Sequence, residues 1–167
     1  GDMNLTRVLK HLLLPGWLVQ RVFARDDLVA ITAAIAASEK AHRGELRFVV
    51  EGPLSVAQLW RDSAPRARAV ELFAQLGVWD TEENSGILIY VQLIDRRVEI
   101  LADRGIAVRV PQAEWDAICR AMEADFRAGA WRQGALRAVA RAGGLLAAHF
   151  PAGERNPNEL PDKPLVL

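Results

Sequence analysis

The segment Trp79-Asp80-Thr81-Glu82-Glu83-Asn84-Ser85-Gly86 packs six consecutive oxygen-bearing side chains into one short turn. A strongly apolar run, Ile87-Leu88-Ile89-Tyr90-Val91, leaves it as a strand. A second strand from Arg97 to Ala102 ends in Asp103-Arg104-Gly105. Carboxylates at a loop-to-strand edge and at the end of a neighbouring strand can converge on one hard cation, which takes oxygen ligands. Asp80, Glu82 and Asn84 alternate like the first ligands of an EF-hand, but the glycine comes one place late and Val91 stands where the twelfth-position glutamate belongs. This is not an EF-hand. The competing reading is a solvated acidic turn in which Asp80-Thr81 caps local structure. Asp103 likewise has two readings, a ligand at the sheet's ligand-bearing edge or a surface salt bridge.

Other residues offer less. Arg66 and Arg68 open a helix and could meet an anion with its N-terminal N–H groups, although two residues apart they diverge. His42 stands between Glu39 and Glu45 as an acid–base candidate; near a helix end its default role is a dipole partner. Asp95 is expected to serve only its turn. Cys119, the single cysteine, lies at an apolar position and is expected to be inert and buried. It excludes an intrachain disulfide and a thiolate metal cage. No nucleophile elbow, phosphate-cradling glycine loop, zinc motif or dinucleotide fingerprint is present.

The elements that must position these residues are legible in outline. Residues 5–23 carry Leu5, Val8, Leu9, Leu12, Leu13, Trp17, Leu18 and Val22, with Arg7, Lys10, His11 and Arg21 between them. This is a basic amphipathic helical segment broken near Pro15-Gly16. Either it lies on a membrane surface or it packs on the core or a partner chain. Asp26-Asp27 mark a helix start, and Gly44 a helix end before a strand over Glu45–Glu51. A short helix around Val56, Leu59 and Trp60 follows, and Ser63 with Pro65 opens another that Gly77 stops. Asp95-Arg96 reverses the chain into an antiparallel hairpin, with a longer loop as the alternative because the turn lacks glycine. Trp115, Ile118, Met122 and Phe126 mark one later helix; Trp131, Ala135, Val139, Ala142 and Leu146 mark the last.

Strand–helix–strand followed by a hairpin gives a small mixed sheet with helices on its faces, a three-layer α/β/α sandwich. Three segments are expected: an N-terminal amphipathic segment over 1–25, the α/β/α domain over 26–150, and a Pro-rich extended tail over 151–167. Hydrophobic residues make up 51% and charged residues 25%, a globular composition. Lys+Arg and Asp+Glu balance at 21 each, so no global charge attracts nucleic acid. No run reaches the roughly 20 apolar residues of a membrane span, and no cleavage site follows Leu12–Val19, so neither a transmembrane helix nor a signal peptide is expected.

Taken together, these motifs resemble the TPM-domain family. The resemblance runs from about Leu28 to Phe150 and rests on Ile31-x3-Ile35-x3-Glu39, Gly44-Glu45-Leu46-Arg47-Phe48-Val49-Val50, and Arg68-Ala69-x3-Phe73 before Leu76-Gly77-Val78. Asn84-x-Gly86 with its strand, Asp95-Arg96-Arg97-Val98-Glu99-Ile100, Asp103-x-Gly105, Phe126-Arg127-x-Gly129 and Gly134 complete it. It implies the α/β/α sandwich and a divalent cation, Ca²⁺ before Mg²⁺, held by Asp80, Glu83, Asn84 and Asp103. It further implies a cation-binding accessory module for membrane protein complexes, hence an unidentified protein partner. The alternative is a metal-dependent acid phosphatase acting on phosphomonoesters, with Arg66, Arg68 and Arg104 neutralising phosphate. A bacterial protein, cytoplasmic or peripheral at the cytoplasmic membrane, is the expected setting.

Overall fold

The computed structural model of the chain describes residues 4–61, 64–153 and 157–167. Three strands form most of the sheet: β1 (Glu45–Glu51), β2 (Gly86–Gln92) and β3 (Arg97–Ala102). β1 and β2 pair in parallel, from Glu45 opposite Gly86 to Glu51 opposite Gln92. β2 and β3 pair antiparallel through a reversal at Leu93–Arg96, so the longer loop is the one adopted. Arg96 takes φ 53° there, the left-handed conformation that glycine would otherwise supply. A fourth strand, β4 (Leu165–Val166), comes from the tail. It pairs in parallel with Val49–Val50 and completes the order β3-β2-β1-β4.

Eight helices are found among the described residues: α1 (Leu5–Leu13), α2 (Leu18–Val22), α3 (Arg25–Glu39), α4 (Val56–Trp60), α5 (Pro65–Gln75), α6 (Arg104–Ala107), α7 (Gln112–Arg127) and α8 (Trp131–His149). A parallel strand pair needs a crossover, and α4 and α5 supply it between β1 and β2. Alternation along the strands sends Leu46, Phe48, Val50, Ile87, Ile89 and Val91 to one face, where they join Ile31, Trp115, Val139 and Leu146 from α3, α7 and α8. Val49, Leu88 and Tyr90 face the other way, towards Ala69 and Leu72 of α5. The protein is therefore a three-layer α/β/α sandwich. Phe23, Phe126 and Trp131 close one end of the larger core, with Phe126 and Trp131 stacked at 4.7 Å between ring centroids.

Local chemistry explains the boundaries. α3 starts at Arg25, because the Asp27 carboxylate accepts from the Ala24 N–H at 2.9 Å and stabilises the first turn. It ends at Glu39 rather than at Gly44. Pro65 occupies the first turn of α5, where its missing N–H is not needed; Ser63, expected to help start this helix, lies outside the described residues. α6 has no counterpart among the sequence expectations. Asp103 caps it, and its single turn carries too few residues to show a period. Among the described residues no helix is long and apolar enough to cross a membrane.

Candidate functional site

The acidic turn and the end of β3 meet in space. Asp103 N–H donates to the Gly86 carbonyl at 2.9 Å, and Gly105 N–H donates to the Asn84 carbonyl at 3.0 Å. Two glycines make this approach feasible. A Cβ on Gly105 would stand 2.4 Å from the Glu83 carbonyl oxygen and 2.6 Å from that of Asn84. One on Gly86 would stand 2.0 Å from the Val78 carbonyl oxygen. No side chain fits at either position. Thr81 organises the turn from within, accepting from Ser85 N–H on its hydroxyl at 2.8 Å and from Asn84 N–H on its carbonyl at 3.2 Å. Asn84 adopts φ 52°, a left-handed conformation that asparagine tolerates better than most residues.

The junction leaves buried oxygen atoms without partners. Asp103 Oδ1 accepts from the Arg104 N–H at 2.8 Å, whereas Asp103 Oδ2 is buried and has no hydrogen-bond partner among the described residues. Ser85 Oγ, one residue before the Gly86 carbonyl that anchors Asp103, is likewise buried and without a partner among the described residues. A buried polar atom without a partner costs on the order of 1–3 kcal/mol. Such atoms call for a water, an ion or a functional role to explain them, and Trp115 Nε1 in the larger core is a third one among the described residues. Ser85 is not among the ligands the sequence suggests, because nothing in a serine's local sequence shows whether its hydroxyl finds a partner.

The remaining candidates are distributed unequally. Asp80 is exposed and joins the turn through its own N–H, which donates to the Gly77 carbonyl at 2.9 Å. Glu83 is engaged in an ion pair with Arg43. Among the described residues, no three carboxylates, imidazoles or thiolates gather as a metal-holding group. Asp103 is the only one of these carboxylates with a buried, unpartnered oxygen among the described residues.

Arg66 and Arg68 are bound to different carboxylates. Arg68, expected as an anion ligand, is buried and held bidentate by Glu51, with both contacts at 2.8 Å; Tyr90 OH donates to the same carboxylate at 2.8 Å. Its hydrogen bonds to Glu51 raise the guanidinium's pKa further. A guanidinium committed in this way has no fork left for phosphate, and this corrects the anion-binding expectation for Arg68. Arg66 reaches the Ile100 carbonyl at 3.1 Å and the Glu99 carboxylate at 3.4 Å. Arg104 is exposed beside Asp103.

The histidine cluster also resolves differently. His42 is fully buried; its Nδ1 accepts from Gly44 N–H at 3.1 Å, so the proton sits on Nε2, which lies 3.0 Å from Ser38 Oγ. Burial lowers its pKa and keeps it neutral, so it is not a charged dipole partner. Glu39 and Glu45 do meet, hydrogen-bonded to each other beside a cavity of about 350 Å³ that Lys40, Asn158 and Asp162 help line. Burial, and then the Glu45 charge, push Glu39 up to about 9, while burial raises Glu45 too. Their bonds run to structural groups. Glu39 accepts from Leu46 N–H at 3.1 Å, Glu45 accepts from Glu159 N–H at 3.2 Å, and the Asn158 amide nitrogen, turned inward, reaches both carboxyls at 3.1 Å. The pair thus clamps the tail to β1. Cys119 is buried, and burial pushes its thiol up to about 12, which leaves it protonated and unreactive.

Known proteins share this framework. The family model for the TPM domain matches residues 19–145. The solved BA42 protein from the psychrophilic bacterium Bizionia argentinensis is 29% identical, with a TM-score of 0.76 over 87% of this chain and 95% of that one. The N-terminal domain of a P. gingivalis protein superposes with a TM-score of 0.63 at 17% identity, over 87% of this chain and 97% of that domain. The second likeness shows the fold alone. No curated protein matches the chain. With the family model covering most of its length, the chain belongs to the TPM-domain family.

Proposed function

We propose that the protein is a divalent-cation-binding accessory module, with Ca²⁺ preferred over Mg²⁺, and that the junction of the acidic turn with the end of β3 is its cation site. The observation that carries this reading is the buried, unpartnered Asp103 Oδ2 beside a turn rich in oxygen ligands. Asp103 supplies the anionic ligand, and Asn84, Ser85 and Asp80 lie on the turn that meets it. Glu83 shares its Oε1 with Arg43, which leaves Oε2 to join the set. All are hard oxygen ligands, a set that suits Ca²⁺ better than a transition metal. A bound cation would supply positive charge to Asp103 and lock the turn onto β3. This is the chemistry of a conformational or docking element that works with a protein partner.

Calorimetric titration of chelator-stripped protein with Ca²⁺ and Mg²⁺ tests the reading. Binding in the wild type that Asp103→Asn abolishes and Asp80→Ala weakens is the expected result. Absence of heat and of any Tm shift at millimolar cation, or unchanged binding by Asp103→Asn, overturns it.

A second reading, phosphomonoester hydrolysis, draws on the label of the matching family model, TPM phosphatase, and on Arg104 standing exposed beside Asp103. In this reading a cation at Asp103 polarises the phosphoryl oxygens while Arg104 meets their charge. Turnover of an aryl phosphate that co-purifies with the protein and disappears in Asp103→Asn supports it. Turnover unchanged in that variant counts it out.

A further inference from the structure

α1 docks on the body by its polar side. The Arg7 guanidinium holds the Asp95 carboxylate with Nε and Nη2 at 3.0 Å each. His11, buried at 3% exposure, lies with Nε2 2.9 Å from the same carboxylate and accepts the Leu54 N–H on Nδ1 at 2.9 Å. Asp95, expected to serve only its turn, is thus the residue that receives α1. One helical turn separates Arg7 from His11, so they share one face. The opposite side of the helix is leucine. Leu5 is 70% exposed, Leu9 46%, Leu12 55% and Leu13 77%, and Trp17 in the following turn is 58% exposed. An amphipathic helix packed for its own fold would bury this stripe; here the packing is inverted.

The surroundings indicate what covers it. Residues 4–25 contain no carboxylate, while Lys10, Arg21 and Arg25 are exposed among them. The carboxylate that the body brings against α1, Asp95, is neutralised by Arg7. Lys10 and the exposed Arg96 line one groove of about 700 Å³ with Leu9, Leu13 and Leu14. A second exposed tryptophan, Trp60 at 70%, ends α4, the helix that packs against α1. Projecting leucines, flanking tryptophans and a cationic margin match the acyl boundary, the headgroup layer and the phosphates of an anionic bilayer.

We infer that α1 is a membrane-surface anchor: its leucine face inserts into the interfacial region of an anionic lipid bilayer, while the Arg7–Asp95–His11 cluster carries the domain on it. Insertion buries the leucines, and Lys10, Arg21 and Arg96 meet lipid phosphates. The domain is thereby held peripherally with its sheet outside the bilayer. The cation site stands on separate residues, so the anchor and the cation reading succeed or fail independently.

The test is co-sedimentation of the full chain with phosphatidylcholine vesicles and with vesicles one-third phosphatidylglycerol, with tryptophan emission read in parallel. Binding to the anionic vesicles with a blue-shifted emission, weakened by high salt, is expected. Leu9→Gln with Leu13→Gln should lower partitioning by about tenfold or more, since both apolar side chains lose their insertion energy. Both are exposed, so the variant's circular dichroism and Tm should match the wild type. Lys10→Glu should weaken binding to the anionic vesicles only. Three results overturn the inference: no preference for anionic vesicles, equal partitioning of the double variant, or a concentration-dependent dimer that the double variant abolishes while vesicles remain unbound. The last outcome would assign the leucine face to a second copy of the chain.

Discussion

Arg7 grips Asp95 through two guanidinium nitrogens across 88 positions of sequence, and this contact fixes which side of α1 faces the body. Burial alone would raise the Asp95 carboxyl, but hydrogen bonds from His11 and Arg7 outweigh it and hold the pKa below the usual carboxylate value. Asp95→Ala should cost about 2 kcal/mol, because it strips a charged acceptor from His11 and Arg7 together. Amide exchange over residues 5–13 should quicken more than in α7 or α8. Uniform exchange across the chain would show that the contact does not hold the helix. Because the folded pKa is depressed, the contribution is present above the unfolded value and disappears as pH falls through the folded one. Acidification should therefore loosen α1.

The Glu39–Glu45 pair sets a slope of opposite sign. A carboxyl raised to about 9 keeps its proton in the folded protein and loses it in the unfolded chain above the ordinary carboxylate range. Its stability contribution is complete below the unfolded pKa and declines as pH rises towards 9. Glu39→Gln reproduces the protonated form, since its amide can donate to Glu45 while its oxygen still accepts from Leu46 N–H. The variant should have a higher Tm than wild type at about pH 8.5 and a flatter decline between about pH 5 and 9, by roughly 1–2 kcal/mol. A lower Tm in that alkaline range would refute the shared proton.

Arg68→Ala leaves Glu51 charged, buried and without its counterion. It should cost about 3–5 kcal/mol in denaturant unfolding, as loss of one buried partner does. Replacing both, as Arg68→Met with Glu51→Gln, should recover much of the loss, since the amide can still accept from Tyr90. Equal destabilisation in the single and double variants would mean that packing, rather than charge, dominates the site.

Gly105→Ala forces a methyl group onto the Glu83 and Asn84 carbonyls and should separate the acidic turn from β3. We expect a loss of about 1–3 kcal/mol from overpacking together with loss of Ca²⁺ binding. Gly144→Ala, where nothing lies within 4 Å of the new carbon, should instead raise stability by about 0.5–1 kcal/mol through helix propensity. Retained Ca²⁺ affinity in Gly105→Ala would detach cation binding from this junction.

Periodicity and punctuation in the sequence determined the layered architecture. Leucine, isoleucine and tryptophan recur at helical spacing in α3, α7 and α8, and the β-branched runs of β1, β2 and β3 are bounded by Gly86 and the Asp95-Arg96 reversal. Burial along these segments depends mainly on local pattern, so local pattern suffices. The acidic turn and Asp103-x-Gly105 were legible as one locale for the same reason: each sits at a strand end whose pairing the hairpin dictates.

Tertiary structure decided which charges were already committed. Arg68 is consumed by Glu51, Glu83 by Arg43, and Glu39 by Glu45 and the tail, through contacts separated along the chain that no local spacing encodes. A two-residue strand such as β4 is too short to show alternation, and its place beside β1 depends on the clamp at Asn158 and on Leu160 entering the smaller core. Amphipathicity in α1 was evident from the spacing of its leucines and cations, but that spacing reports only that a helix has two faces, not which face docks. Asp95, brought from the far hairpin turn to Arg7 and His11, made that choice and left the leucines outward.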